Sequence, residues 1–307
     1  MESLNLSSNL EELVESKRSK KASTKRKANP VVIEYESKKE NTEPTKFQPD
    51  SVEIENSSNW ETFYGAIKEM RKERNAPVDS MGASSQFDPK AHSDTQNFQI
   101  LIATVLSVQT KDQTVDKAMK RLKEYGLTVD SMHAIDPAKL KELIFECNFN
   151  ATKVKNIKEI ARMLKEDMNG KLPTDLNGCL KFPGVGKKVA LIYLNYALKK
   201  LDGIAVDTHL HRISNRLGVI KTNTPEETRV ALQNIVKKED WGEVTEIFVG
   251  FGQQVCLPIG PRCGECTLKD SCPEGKKNVL ISAEKFKKKA KSAEDVAKNE
   301  QKVQQES

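Results

Sequence analysis

Residues 175–216, DLNGCLKFPGVGKKVALIYLNYALKKLDGIAVDTHLHRISNR, leave little choice of local structure. Leu176 and Leu180 share a helical face, Pro183-Gly184-Val185-Gly186 makes a turn, and an apolar helix is predicted from Lys187 to Leu198. Glycine lets such a turn reach positive φ and brings its N–H groups close to an anion, and the start of the second helix adds the positive end of a dipole. The upstream strand and Gly-Lys-Ser/Thr ending of a nucleotide P-loop are missing, so Gly184, Val185, Gly186 and Lys187 are expected to cradle a nucleic-acid phosphate. Turns of this kind also serve as plain packing punctuation between helices.

Two residues raise the chemical content of the stretch. Lys188 falls in the first turn of the second helix, where the dipole, neighbouring Lys187 and any burial oppose a charged ammonium, and lysines so placed become nucleophiles. Asp207 follows the apolar run Ile204-Ala205-Val206 and precedes a helix start, which is also an ordinary N-cap position.

Further helices are expected from Asn59, as cap, through Trp60, Phe63, Tyr64, Ile67 and Met70, with Pro77 to Asp94 as loop. Others are expected at Phe98 to Val108, Thr114 to Tyr125 capped by Asp112, Pro137 to Glu146 capped by Asp136, and Thr152 to Asn169 closed by Gly170. The last two are Pro225 to Val236, with Thr224 and Glu227 in capping-box register, and Trp241 to Gln254. No strand alternation separates them, and the expected class is all-α.

Net charge is +6 over 307 residues. Residues 1–55 hold ten basic and eleven acidic side chains and residues 283–307 seven and five, which leaves +5 for the rest. That is enough for a DNA-binding face without the strong basic excess of many nucleic-acid domains. Both ends read as disordered, the first carrying the basic clusters Lys17-Arg18-Ser19-Lys20-Lys21 and Lys25-Arg26-Lys27, which suit a nuclear signal, and the second rich in lysine. No apolar run is long enough to span a membrane, and MESLNLSSNLEELVES carries acids where a targeting peptide is basic, so a soluble intracellular protein is expected.

Of six cysteines, Cys147 and Cys179 stand alone in helical patterns and are expected to be packed, while Cys256, Cys263, Cys266 and Cys272 crowd one loop. This is metal-site clustering suited to a reducing compartment. Four thiolates at this spacing suit either zinc or an iron–sulfur cluster, although zinc ribbons usually pair two Cys-x-x-Cys knuckles and here there is one.

FPGVGKK (Phe182 to Lys188), VDTHLHR (Val206 to Arg212), LSVQTKDQ (Leu106 to Gln113), PEETR (Pro225 to Arg229) and GFGQQVCLPIGPRC (Gly250 to Cys263) together resemble the endonuclease III family of helix-hairpin-helix DNA glycosylases, over roughly residues 97–273. The resemblance implies two helical domains: an inserted one, 97–207, and one formed by 56–96 with 208–282, between tails 1–55 and 283–307. It implies that Lys188 and Asp207 are the catalytic pair and that the four cysteines hold a 4Fe-4S cluster. Gln109 falls where the family fills the gap left by an extruded nucleotide. Phe149 falls where it places an apolar wedge, after Asn148 where glycine is usual, and Arg262 is a candidate phosphate contact.

The activity implied is a bifunctional glycosylase and AP lyase acting as a monomer on oxidised pyrimidines in double-stranded DNA with damaged or abasic nucleotides. Nuclear location, with mitochondrial delivery left open, and repair partners met through the N-terminal tail complete the expectation. Two alternatives stand beside it. A monofunctional adenine glycosylase shares the cysteine spacing but needs a glutamate where Thr104 stands, and a non-catalytic metal-stapled DNA-binding module would not need Lys188 and Asp207.

Overall fold

A computed structural model describes residues 59–281. The basic clusters near Lys17 and Lys25, and the tails expected to be disordered, lie outside the described residues. Every regular element described is helical. In chain order these are α1 (Trp60–Met70), α2 (Pro77–Met81), α3 (Ser93–Ser107), α4 (Asp112–Tyr125), α5 (Val129–Ala134), α6 (Pro137–Leu143) and α7 (Asn150–Arg162). There follow α8 (Leu176–Cys179), α9 (Lys187–Leu198), α10 (Thr208–Arg216), α11 (Pro225–Ile235), α12 (Trp241–Gln254) and α13 (273–281).

Several helix ends follow their capping chemistry. Asp136 accepts from the amides of Ala138 and Lys139 at 2.8 and 3.2 Å, and Thr224 Oγ1 accepts from Glu227 N at 3.2 Å while Glu227 accepts from Thr224 N at 3.3 Å. Others need correction. Asn59 makes no side-chain cap bond, and Asp112 is the first helical residue of α4 with Lys111 as cap. The segment expected as loop contains α2, and α5 lies where no helix was expected. The helix expected to run to Asn169 leaves α geometry at Arg162, widens into a π turn over Met163–Asp167, and closes where Gly170 N donates to Leu164 O at 2.7 Å.

The buried side chains form two clusters. The first is contiguous in sequence, from Phe98 to Leu194, and is centred on α3, whose residues Phe98 to Leu106 are all buried and against which α9 packs. Cys147 and Cys179 are buried in it. The second joins α1 to the chain from Ile204 to Leu268. There Trp60 stacks on Tyr64 and Phe248 with ring centroids 5.4 and 5.6 Å apart, a geometry that adds to the burial of large rings. Helix α12 touches both sets, packing on α1, α2, α9 and α10. Buried Arg71, just after α1, is tied to α12 by a 2.7 Å bond to Gln254 and to α2 by an ion pair with Asp79.

Candidate active site

The hairpin between α8 and α9 begins with Asp175, whose Oδ1 accepts from Gly178 N at 2.8 Å and so starts α8. The turn then divides its residues. Phe182 and Val185 are buried and joined by a 3.2 Å bond from Val185 N to Phe182 O, so Val185 contributes its side chain to the core. Gly184 and Gly186 are exposed. Gly184 has φ +75°, a conformation that favours glycine, and a Cβ there would lie 2.1 Å from Asn156 Nδ2 of α7, so that side chain would have to shift. Gly186 is the N-cap of α9 and offers no side-chain cap, which leaves first-turn amides to an external acceptor. Lys187, at the rim of this cradle, is paired with Glu226 at 2.6 Å. Glu226 is held well below the usual carboxylate range, at about 2, first by its hydrogen bond from Arg229 and then by Lys187.

Lys188 is half-buried in the first turn of α9. Asp207 does cap α10, its Oδ1 accepting from Leu210 N at 2.8 Å, while Oδ2 takes no part in that cap. The backbone before it is pinned by Thr245 Oγ1 donating to Ala205 O at 3.1 Å. Capping and chemistry are therefore compatible at one carboxylate.

Two further groups complete the neighbourhood, and sequence reasoning missed both. Asp112 was read only as a cap, yet its Oδ2 accepts from Gln253 Nε2 of α12 at 2.7 Å. Burial raises the Asp112 pKa; the Gln253 bond and the charges of His209 and Lys188 oppose that rise, and Asp207 adds to it. Burial lowers the His209 pKa against the pull of Asp207, with Arg212 and Lys188 adding to the fall. His209 Nδ1 receives a 3.2 Å bond from Arg212, which can only donate, so this imidazole is neutral. The ring fits because residue 252 is glycine: a Cβ there would lie 2.3 Å from His209 Nδ1. Asp112, through Gln253, and neutral His209, against Gly252, thus both rest on α12, and Lys188 and Asp207 act on them electrostatically where elements of the two cores meet. That set can attack an electrophilic carbon, take up a proton and offset positive charge.

Gln109 and Phe149, forty positions apart, lie side by side. Both have left-handed backbone, with φ +52° and +56°, and both are exposed, Phe149 by 65%. Asn148 Nδ2 donates to Gln109 O and links the two loops. Arg262 is exposed beside Glu265 at 4.0 Å.

Cys256, Cys263, Cys266 and Cys272 line one small cavity of ≈ 30 Å³ with Phe251, Leu217 and Val255, and none of the four is in a disulfide. Arg216 clamps the first gap, donating to Leu257 O at 2.7 Å, Pro258 O at 2.8 Å and Cys256 Sγ at 3.6 Å. Gly275 N donates to Cys272 Sγ at 3.4 Å and Asn278 Nδ2 to Cys263 Sγ at 3.6 Å. Among the described residues no three His, Cys, Asp or Glu side chains gather closely enough to hold a single metal ion.

Comparison with known proteins gives the class first. Residues 102–238 match the HhH-GPD superfamily of base excision DNA repair proteins. The chain is 43% identical over 250 residues to Endonuclease III-like protein 1 of Gallus gallus, covering 81% of this chain and 86% of that protein. It is 44% identical over 184 residues to endonuclease III of Thermotoga maritima, covering 60% and 86%. A trapped covalent endonuclease III–DNA intermediate superposes with a TM-score of 0.64 at 29% identity, and a non-covalent endonuclease III–DNA complex with 0.62 at 30%, each spanning 73% of this chain and 98% of the other. The chain therefore belongs to the endonuclease III family, DNA glycosylases with AP lyase activity that act in base excision repair.

Proposed function

We propose that this glycosylase removes oxidised pyrimidines from duplex DNA through a Schiff base on Lys188 and then cuts the strand 3′ to the lesion. The observation that carries the reading is the placement of half-buried Lys188 in the first turn of α9 beside the exposed glycine turn, with Asp207 keeping one carboxylate oxygen outside its cap of α10. Lys188 Nζ attacks C1′ with its lone pair, the N-glycosidic bond breaks, and the base leaves with the bonding electrons and a proton. The nitrogen now on C1′ gives up a proton and its lone pair forms the C1′=N iminium as C1′–O4′ breaks, the bonding electrons and that proton going to O4′; the iminium acidifies C2′–H, and removal of that proton expels the 3′ phosphate with the C3′–O bonding pair. Asp207, with Oδ2 outside its cap, offsets cationic charge at the sugar and relays the lysine's proton. A relative trapped as a covalent intermediate with DNA supports the covalent route.

The two cores would act as two helical domains, 97–207 and 56–96 with 208–282, with Lys188 inside the first and Asp207 at its last position, capping α10 of the second. Gly184, Gly186 and Lys187 would hold a backbone phosphate, Gln109 and Phe149 would enter the duplex, and Arg262 would touch its edge. The cysteine loop fits a 4Fe-4S cluster. Its single Cys-x-x-Cys knuckle departs from the paired knuckles of a zinc ribbon, and its thiols receive amide and guanidinium hydrogen bonds of the kind that tune clusters. When bound, the cluster supplies a covalent staple for the loop between α12 and α13. Residence in the nucleus, monomeric action and repair partners met through residues 1–55 belong to the same proposal.

The adenine-specific alternative fails locally: Thr104 is fully buried in α3 with its hydroxyl donating to Ile100 O at 2.8 Å. A panel of duplexes, each with one altered base, tests the substrate class. Thymine glycol and 5-hydroxycytosine duplexes should lose the base and be cut. Cleavage confined to adenine opposite 8-oxoguanine, or binding without any cutting, would defeat the proposal.

The hairpin makes its own prediction. Gly184→Ala places a methyl group against Asn156 in a left-handed backbone, a cost on the order of 1–2 kcal/mol per residue, and displaces the phosphate cradle. Affinity should fall about tenfold for each 1.4 kcal/mol lost, equally for undamaged and lesion duplexes in a gel-shift titration. Unchanged affinity in the folded variant would reduce the turn to a packing element.

A further inference from the structure

Lys153 is an ammonium in the first core, 4% exposed, and the mechanism above does not use it. Its Nζ donates to Leu106 O at 2.7 Å, Val108 O at 2.8 Å and Thr110 Oγ1 at 2.7 Å, so three donors meet three acceptors. These acceptors bracket Gln109 on both sides. They also mark the end of α3, where carbonyls lack helical partners and the dipole is negative. Helices commonly finish by handing the left-handed position to glycine. Here that position is Gln109, and a lysine from α7 satisfies the helix end instead. The same short segment grips the loop a second time, through Asn148 Nδ2 on Gln109 O, and presents exposed Phe149 beside it.

We propose that Lys153 is a positioning residue for base extrusion: with Asn148 it locks the Gln109 loop and the Phe149 turn into one rigid two-pronged wedge. The inference rests on the reading of Gln109 and Phe149 as residues that enter the duplex. A wedge ordered before binding loses little freedom on insertion, whereas a loose loop must be ordered at the cost of the opening step. Lys153 touches neither the sugar nor the base and acts through Gln109.

Single-stranded DNA carrying the same lesion has no partner base to replace and no stacked pair to open, so it separates positioning from chemistry. Base release by Lys153→Met should fall about 10²-fold on the duplex, the scale of a small misplacement, with the single-stranded rate within about twofold of wild type. 2-Aminopurine opposite the lesion should lose its fluorescence rise on binding. Asn148 is exposed, so Asn148→Ala will fold, and it should show the same duplex-selective loss in smaller measure; it decides the matter if Lys153→Met does not fold. Equal losses on both substrates, or no loss on the duplex, overturn the positioning role. Gln109→Ala is the control: a duplex-to-single-strand ratio at the wild-type value overturns the insertion reading itself. A selective loss there with none in the Lys153 and Asn148 variants overturns this inference alone.

Discussion

Lys188→Gln is expected to abolish base release and borohydride trapping, a loss on the order of 10³-fold or more, while a lesion duplex still binds. Trapping reports the Schiff base itself, because hydride reduction fixes the iminium as a covalent protein–DNA adduct. The neighbouring amine is separable: Lys187 lies at the rim of the phosphate cradle, paired with Glu226 at 2.6 Å, so Lys187→Gln should weaken binding yet still trap once the DNA is saturated with protein. Asp207→Asn should slow base release by about 10²–10⁴-fold, the range for a lost proton-transfer group. Because asparagine retains an oxygen for the 2.8 Å cap on Leu210 N, stability should change little, and a preserved melting midpoint separates the chemical role from the structural one. Wild-type trapping by Lys188→Gln on damaged-base DNA would show that another amine is the nucleophile.

The cysteine loop carries the second large effect. Freshly isolated protein should be yellow-brown, with iron and sulfide in similar amounts, and Cys263→Ser should bleach the visible absorbance. The loop around Arg216, Leu257 and Pro258 is otherwise held by a few polar bonds, so loss of the staple should be felt in the second core through Leu268. A cost of about 3 kcal/mol would lower the melting midpoint by roughly 6–12 °C at this chain size. One equivalent of zinc in protein purified without iron loss would contradict the assignment.

What could be read from the sequence was local. The hairpin follows from apolar spacing around Gly184, the caps of α6 and α11 from side chains next to the amides they bond, and the cysteine loop from crowding of thiols. What escaped depends on distant partners. Helices α2 and α5 are too short to stand alone; the first has Val78 N bonded to Gln253 at 3.1 Å, and the second has its end carbonyls held by Lys158, at 2.7 Å for Ile135 O. Asp112 owes its place in the site to Gln253, 141 positions away, which no local pattern reveals. Lys153 did leave a trace, since it shares the buried phase of Ile157, Ile160 and Ala161 on α7. A charged residue in the apolar register of a helix is a signal that spacing alone can supply.

The two cores differ in when a ribosome could complete them. The first needs only residues 98–194 and can close while the rest of the chain is still being made. The second cannot: Trp60, Phe63, Tyr64 and Ile67 emerge early, yet Phe248, the ring on which Trp60 stacks, is 188 positions later. At synthesis rates of about 5–20 residues per second, these rings wait roughly 10–40 s for their partner. During that interval α1 is an apolar segment tethered to a finished neighbour, so the nascent protein should be most susceptible to chaperone capture and proteolysis just upstream of residue 98.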